Sequence, residues 1–409
     1  MRRQGGALGW AGRAGKIGRG GRAGKIGRVD RVGSMLDDAA PAPVQAPLSA
    51  PPYQGPQRDT PSTPFHLYVA PGGSDSAAGS IGAPFKTIAR AARAALPGTT
   101  IHVAAGDYAG GIKTSASGSA EARIYYVSST RWGARIVPPA TSRSDVAWDN
   151  RGSYVDIVGF RVDGRGARAG AAWTHGIYNG GSYAMIRHNW VHDIAGTAAC
   201  TSGGGSAIGV DSYYRGIGSA VIGNLVHDIG PPGCRFVHGI YISTSGTVLN
   251  NVVYRVAAAA IHLWHDARNV IVANNTVVAS STGIVVGGGD FYHTLGPNNH
   301  TVVANNIVYD NQMGIVEQGQ TGAGNRYLNN QVFQNAMYNF RLKRGMAHSG
   351  TVCAAPRFVA YTRSGTPDLR LDGAAQYAAK GAPGYAPPDD FDGKARKGAD
   401  GPDIGAFQY

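Results

Sequence analysis

The sequence is poor in charge, with only 15% Asp, Glu, Lys and Arg. It is also poor in cysteine, with Cys200, Cys234 and Cys353 as the whole set. Three cysteines at these spacings fit no zinc pattern and cannot build a disulfide-dense mini-fold. No apolar run approaches the roughly 20 residues that a membrane-spanning helix needs. The first residues lack the apolar stretch of a signal peptide. A sustained helical period is missing as well. What the chain has in quantity is glycine, 61 residues of 409, with a middle rich in Val, Ile, Asn, Ser and Thr. Glycine and asparagine suit turns, and β-branched residues suit strands.

The formal charge of +13 is unevenly spread. Residues 1–34 carry nine Lys and Arg against Asp30, so +8 sits in the tail and +5 in the rest. The body is mildly basic, which suits an acidic glycan as a partner. The tail duplicates GRAGKIGR at 12–19 and 21–28. It has no aromatic interleaving and no recognisable module, so nucleic acid is not expected as a partner. A Pro- and Ala-rich stretch at 39–64 reads as a linker, and 1–64 as a disordered extension.

Order is expected from Phe65. The strand Phe65-His-Leu-Tyr-Val-Ala runs into the turn Pro71-Gly-Gly-Ser-Asp. Phe85, Ile88, Ala92 and Leu96 then follow helical spacing, which Pro97-Gly98 stops. From about residue 150 one phrase recurs: an apolar stretch interrupted by Asn at 189, 224, 251, 275, 306 and 330. The spacings are 35, 27, 24, 31 and 24 residues. Between them falls a second phrase, exemplified by Gly239-Ile-Tyr-Ile and Ala260-Ile-His-Leu. Two strands per period of this length predict a solenoid whose coils bury their apolar faces only by stacking. Asn tolerates the left-handed turn, and its amide can bond to the same position one coil away.

The cap phrases Tyr68-Val-Ala-Pro-Gly-Gly-Ser-Asp, Ala83-Pro-Phe-Lys-Thr-Ile and Gly106-Asp-Tyr, with the ending Asp403-Ile-Gly-Ala-Phe-Gln, resemble pectate-lyase-like right-handed parallel β-helix proteins. The resemblance covers roughly 65–409. It implies an all-β solenoid with an N-terminal cap at 65–110, a β-helix at 111–345 and a closing segment at 346–409. It is specific for fold and poor for substrate, because that fold hosts lyases, hydrolases, epimerases and non-catalytic surface proteins. The Asp-rich calcium cluster of pectate lyases, the Asp triad of polygalacturonases and the Asp-Pro-His motif of mannuronan epimerases are not found. No metal is assigned, and calcium stays open as a cofactor.

Stacking turns sequence into columns. With Ile177, Ile208, Ile240, Ile261, Ile284 and Ile315 inward, the next residues face outward. One outward column then reads Tyr178, Gly209, Tyr241, His262, Val285, Val316, and the next reads Gly180, Asp211, Ser243, Trp264, Gly287, Gln318. Tyr241 and His262 become neighbours, with Trp264 and Asp211 beside them and His265-Asp266 at the strand end. This set suits β-elimination on a uronic acid, which needs a base, a neutraliser of the carboxylate and an acid for the leaving oxygen. His262 or His238 is the expected base, Tyr241 the acid and Arg235 the carboxylate partner. Trp264 offers a platform for a sugar ring, with Tyr178 and Asp211 as further binding residues. By strict alternation His238 and His175 point inward or sit at a corner. The insertion at 287–297 reads as a groove wall that brings Asp290, Tyr292 and His293. Cys200 and Cys234 follow the same Val-His-Asp-Ile phrase in successive coils, so a disulfide and an oxidising compartment are expected. The function so read is cleavage of an acidic polysaccharide by a secreted, periplasmic or cell-surface monomer. A glycoside hydrolase working with Asp211, Asp266 or Asp290, and a non-catalytic adhesin, are the rivals.

Overall fold

A computed structural model describes residues 64–139, 144–165, 173–343, 345–373, 380–397 and 401–409. The basic tail and nearly all of the linker lie outside the described residues. The chain winds into a parallel β-helix with three sheets, not two strands per coil. An eleven-stranded sheet runs from Phe65–Val69 to His348–Ser349. Two nine-stranded sheets complete each coil. One of them, here the site sheet, contains Val237–Ile242 and Ala259–Leu263. The other, the strap sheet, contains Val252–Val256 and Thr276–Val278. The third strand was hidden because each Asn phrase spans two short strands around a corner, as in Met185–Arg187 and Trp190–His192.

The cap is continuous with the solenoid. Phe65–Val69 pairs in parallel with Thr99–Val103, which opens the eleven-stranded sheet. Between them the short helix Ile88–Ala94 is capped by the Thr87 hydroxyl, which accepts the Arg90 N–H at 3.1 Å. It lays Ile88, Ala91 and Ala92 over the end of the core. A cap of this kind covers the first apolar coil, which has no neighbour on one side.

Inside, the isoleucine column holds register through Ile177, Ile208, Ile240, Ile261, Ile284 and Ile315. All six are fully buried. The Asn column divides its labour. The first residue of each pair takes the left-handed turn, as Asn250, Asn274, Asn305 and Asn329 do with φ of 50–58°. The second forms the ladder. Asn275, with no exposed surface, donates its side-chain amide to Asn306 Oδ1 at 2.9 Å and to Val248 O at 2.9 Å. Its own Oδ1 accepts both the backbone and side-chain N–H groups of Asn251, each at 2.9 Å. The ladder supplies the buried corner with the partners that water would otherwise provide.

The first Asn of each pair also holds a C-terminal strap. Asn250 donates to Asp389 O at 2.5 Å, Asn274 to Asp403 O at 2.9 Å, Asn305 to Ala382 O at 3.0 Å and Asn329 to Lys380 O at 2.7 Å. Leu369, Phe391 and Phe407 pack on Val252, Tyr254 and Val278. The described residues of the closing segment thus cover the outer face of the strap sheet.

Cys200 and Cys234, 34 positions apart in sequence, form a disulfide with Cα atoms 5.5 Å apart. It joins the loops that lead into the site-sheet strands Gly205–Val210 and Val237–Ile242. Reduction is expected to cost about 3–4 kcal/mol through the freed loop entropy. Urea unfolding with and without reductant, set against a Cys200→Ser variant, measures it; identical midpoints would refute a stabilising role.

Candidate active site

Alternation along the site-sheet strands breaks at one position. Ile240 and the residue before it, Gly239, both face the core. A Cβ on Gly239 would lie 2.5 Å from Ala260 O and 3.0 Å from Val253 Cγ1. The equivalent residues in neighbouring coils are Gly176, Ala207, Ala260, Gly283 and Gly314. Only a small side chain fits this inward turn. The break sends His238 and His175 outward, correcting the inward orientation that strict alternation implies. They join the outward column instead.

The expected register holds: Tyr241 pairs with His262, and Tyr178 with Gly209. His238 and His262 rings lie 4.2 Å apart, and Tyr241 meets His262 edge-on at 5.2 Å. Hydrogen bonding fixes their protons. The Ala259 N–H donates to His238 Nδ1 at 3.3 Å. That nitrogen therefore carries no proton, and the neutral ring holds its proton on Nε2. His238 Nε2 lies 3.0 Å from His262 Nδ1 and donates to it. The His262 proton is left on Nε2, a buried atom with no hydrogen-bond partner. Burial lowers His238 to about 3. Burial, then the neighbouring His238 and His265, lower His262 well below the usual imidazole range. Both rings are neutral donors at ordinary pH.

This geometry corrects the roles expected for the two histidines as bases. His238 has both nitrogens engaged, so it positions His262. His262 offers an N–H, not a lone pair. The Tyr241 hydroxyl has no hydrogen-bond partner among the described residues, and burial raises its pKa well above the ordinary phenol value.

Trp264 lies over a glycine floor. A Cβ on Gly287, Gly289 or Gly319 would come within 2.8 Å of the indole. The insertion folds onto the strand end beside it and walls one side of the sheet face, through Tyr292 on His265, His293 on Tyr213 and Thr294 on Asp266. Asp266 is the anchor of that wall. Its carboxylate accepts the His293 N–H at 3.0 Å, the Thr294 N–H at 3.1 Å, the Thr294 hydroxyl at 2.8 Å and the Ser212 hydroxyl at 3.0 Å. Burial works to raise its pKa, and the bonds from Thr294, Ser212 and His293 overcome this and lower it. Asp266 thus ties the insertion to the strand end, with its carboxylate engaged by these donors. His265 Nδ1 donates to Asp290 O at 2.9 Å, and its Nε2 accepts the Tyr292 hydroxyl at 2.9 Å. Their rings stack at 4.1 Å, and His265 lies 6.0 Å from Tyr241. Exposed Asp290 accepts Trp264 Nε1–H at 3.4 Å. His293 Nε2 donates to Tyr213 O at 3.2 Å, so it buttresses the wall.

Asp211 is buried and accepts the Tyr178 hydroxyl at 2.7 Å, the Ser243 hydroxyl at 2.6 Å and the Tyr213 N–H at 3.0 Å. It organises the groove floor and offers no open carboxylate to a ligand, and Tyr178 is likewise buried. Arg235 is exposed in the turn before Val237, with no ion pair or hydrogen bond to this cluster among the described residues. It does not reach the place expected of it. Arg151, which the sequence reading passed over, pairs with Asp149 at 2.7 Å and stacks 3.5 Å over Tyr214. The repeat could have placed it, since it follows Asn150, the residue in register with Asn179.

One group suited to a metal occurs among the described residues: Asp163, His192 and Asp193, on and beside the strap sheet. Arg161 and Arg165 hold Asp163 at 3.1 and 2.9 Å. Paired guanidinium groups already neutralise that carboxylate, so it does not fit a calcium ion. The cluster is also remote from the groove.

Two family models match this sequence. One, described as a right handed beta helix region, matches residues 175–352. The other, a protein of unknown function (DUF1565), matches residues 71–114. No curated protein matches in sequence. Among solved structures, pectate lyase Pel9A is similar with a TM-score of 0.56 at 17% identity, over 86% of this chain and 98% of its own. Alginate lyase from Paenibacillus sp. str. FPU-7 gives 0.48 at 19% identity, over 64% and 91%. The A-module of Azotobacter vinelandii mannuronan C-5 epimerase AlgE6 gives 0.46 at 17% identity, over 64% and 66%. At such identities the likeness is one of fold: the chain is a right-handed parallel β-helix.

Proposed function

We propose that this chain, which shares its right-handed β-helix fold with pectate lyase Pel9A, is a carbohydrate-active enzyme that cuts an acidic polysaccharide by β-elimination. The observation that carries the reading is the unpartnered His262 Nε2–H with the Tyr241 ring edge-on beside it, next to the wall made by the insertion. In β-elimination the proton next to the carboxylate leaves, a C=C bond forms, the C–O bond to the next sugar breaks and the departing oxygen takes a proton. His262 donates to the uronate carboxylate, where charge builds as the enolate forms. Tyr241 protonates the departing oxygen. Tyr292 receives the carbon-bound proton as its own passes to His265 Nε2. Trp264 supports a sugar ring beside them.

Hydrolysis needs a pair of available carboxylates. Asp211 and Asp266 are each held by several donors, which supports elimination over hydrolysis. A disulfide and a polymeric substrate together fit a monomer working in the periplasm, at the cell surface or outside the cell. None of these roles is assigned to calcium, and the assay includes it as a variable.

A panel of uronate polysaccharides, with and without calcium, tests the reading. Unsaturated product absorbing in the ultraviolet is expected, and Tyr241→Phe is expected to slow its formation about 10²–10³-fold. New reducing ends without that absorbance would mean hydrolysis. Binding without either product would mean an adhesin.

A further inference from the structure

The site sheet carries a second polar site three strands beyond His262. Continuing the outward columns from Val285 and Val316 leads to Arg341, and from Gly287 and Gln318 to Lys343. At the roughly 4.8 Å strand spacing this is about 14 Å along the groove. The two cations line a cavity of about 360 Å³ with Val316, Gln318, Gly319 and Tyr338. Glu317 also borders it, but that side chain is buried and turned toward the core. It accepts the Tyr327 hydroxyl at 2.7 Å and the Lys343 N–H at 3.0 Å. Arg341 donates once, to the Tyr338 hydroxyl at 3.2 Å, and both Arg341 and Lys343 are exposed. Lys343 Nζ also bonds to Gly319 O, the backbone beneath the Trp264 indole. The cavity therefore adjoins the Trp264 platform. Val285 and Val316, both buried with Met313 and Tyr338 packed against them, lie between His262 and the cavity along the sheet.

We propose that the Arg341–Lys343 cavity is a distal subsite for the carboxylate of a uronate several sugars away from the bond that is cut. This rests on the reading of the groove as a polyuronate site and names how that groove selects acidic, extended chains. An exposed guanidinium and an ammonium held at the end of a linear groove match a carboxylate at a fixed distance. A neutral sugar gains nothing from them. A contact made equally in the ground state and the transition state lowers KM and leaves kcat unchanged, and a carboxylate held several sugars from the cut bond is a contact of that kind.

The test uses the full chain with Arg341→Gln and Lys343→Gln combined, on polygalacturonate, alginate, their carboxyl-reduced forms and short oligomers. Dissociation constants are measured by affinity electrophoresis in a His262→Ala background, so that no polymer is consumed. The double variant is expected to bind the polyuronate at least 10-fold more weakly, with a flatter salt dependence. Dimers and carboxyl-reduced polymer should bind it as they bind the parent. In the otherwise unaltered chain KM should rise and kcat stay within two-fold. Equal weakening toward carboxyl-reduced polymer, or no weakening toward polyuronate, would overturn the subsite. Polyuronate binding that depends on Arg341 and Lys343, without any cleavage by the parent chain, would support the subsite and sink the proposed activity.

Discussion

Exchanging His262 for alanine is expected to lower kcat on the cleaved polymer about 10²–10³-fold while substrate affinity changes little, because one preorganised donor to the developing charge is lost. Steady-state kinetics on the polymer that gives unsaturated product measures it; activity within a few-fold of the parent would place the centre elsewhere. His238→Ala should have a smaller effect, about 10-fold, and a different signature. With the His238 donor gone, His262 Nδ1 is free to take up a proton, so the acid limb of the kcat/KM profile should move up toward the ordinary imidazole range. His238→Gln retains an N–H for His262 Nδ1 and should restore much of the loss. A role in packing alone would lower kcat without moving that limb.

The same pair ties stability to pH. Folding holds His238 at about 3, and it holds His262 below the ordinary value as well. As pH falls below about 6.5 the unfolded chain takes up protons that the folded chain refuses. The stabilisation is therefore complete above that pH and is lost progressively as pH falls toward 3. In His238→Ala the acid destabilisation between these limits should be reduced.

Asn275→Ala is expected to be among the most damaging single substitutions for stability, at about 4 kcal/mol. It strips partners from Val248 O, Asn306 Oδ1 and the Asn251 N–H at once, in a corner closed to water. Asn329→Ala, which loses a bond to Lys380 O at the surface and puts alanine in a left-handed turn, should cost about 2 kcal/mol. Urea midpoints for the two variants decide the matter. Similar values would mean that the inner ladder contributes no more than the outer contacts.

Much of the solenoid was legible because its period was written twice, in the isoleucines and in the asparagines. Those two rows fixed register well enough to set Tyr241 beside His262 and Trp264 one step along. Three things stayed hidden. The corner at each Asn was too short to separate two strands by pattern. The inward pair Gly239-Ile240 breaks the period of two, so the orientation of His238 could not follow from alternation. Finally, Phe340 stands where an isoleucine marks earlier coils, which masked the last strand and with it Arg341 and Lys343. The engagement of the Asp211 and Asp266 carboxylates was illegible for a different reason. Whether a carboxylate is open or engaged depends on loops whose path has no repeat to reveal it.

The C-terminal strap touches four consecutive corners, at Asn250, Asn274, Asn305 and Asn329, each through its own carbonyl. It therefore works as a ruler laid along the stack. A duplicated turn inserted between Asn274 and Asn305 would keep every internal ladder intact and yet put the ruler out of step by one strand spacing. Lengthening this protein by whole repeats is thus limited less by its interior than by the piece of chain that measures its height.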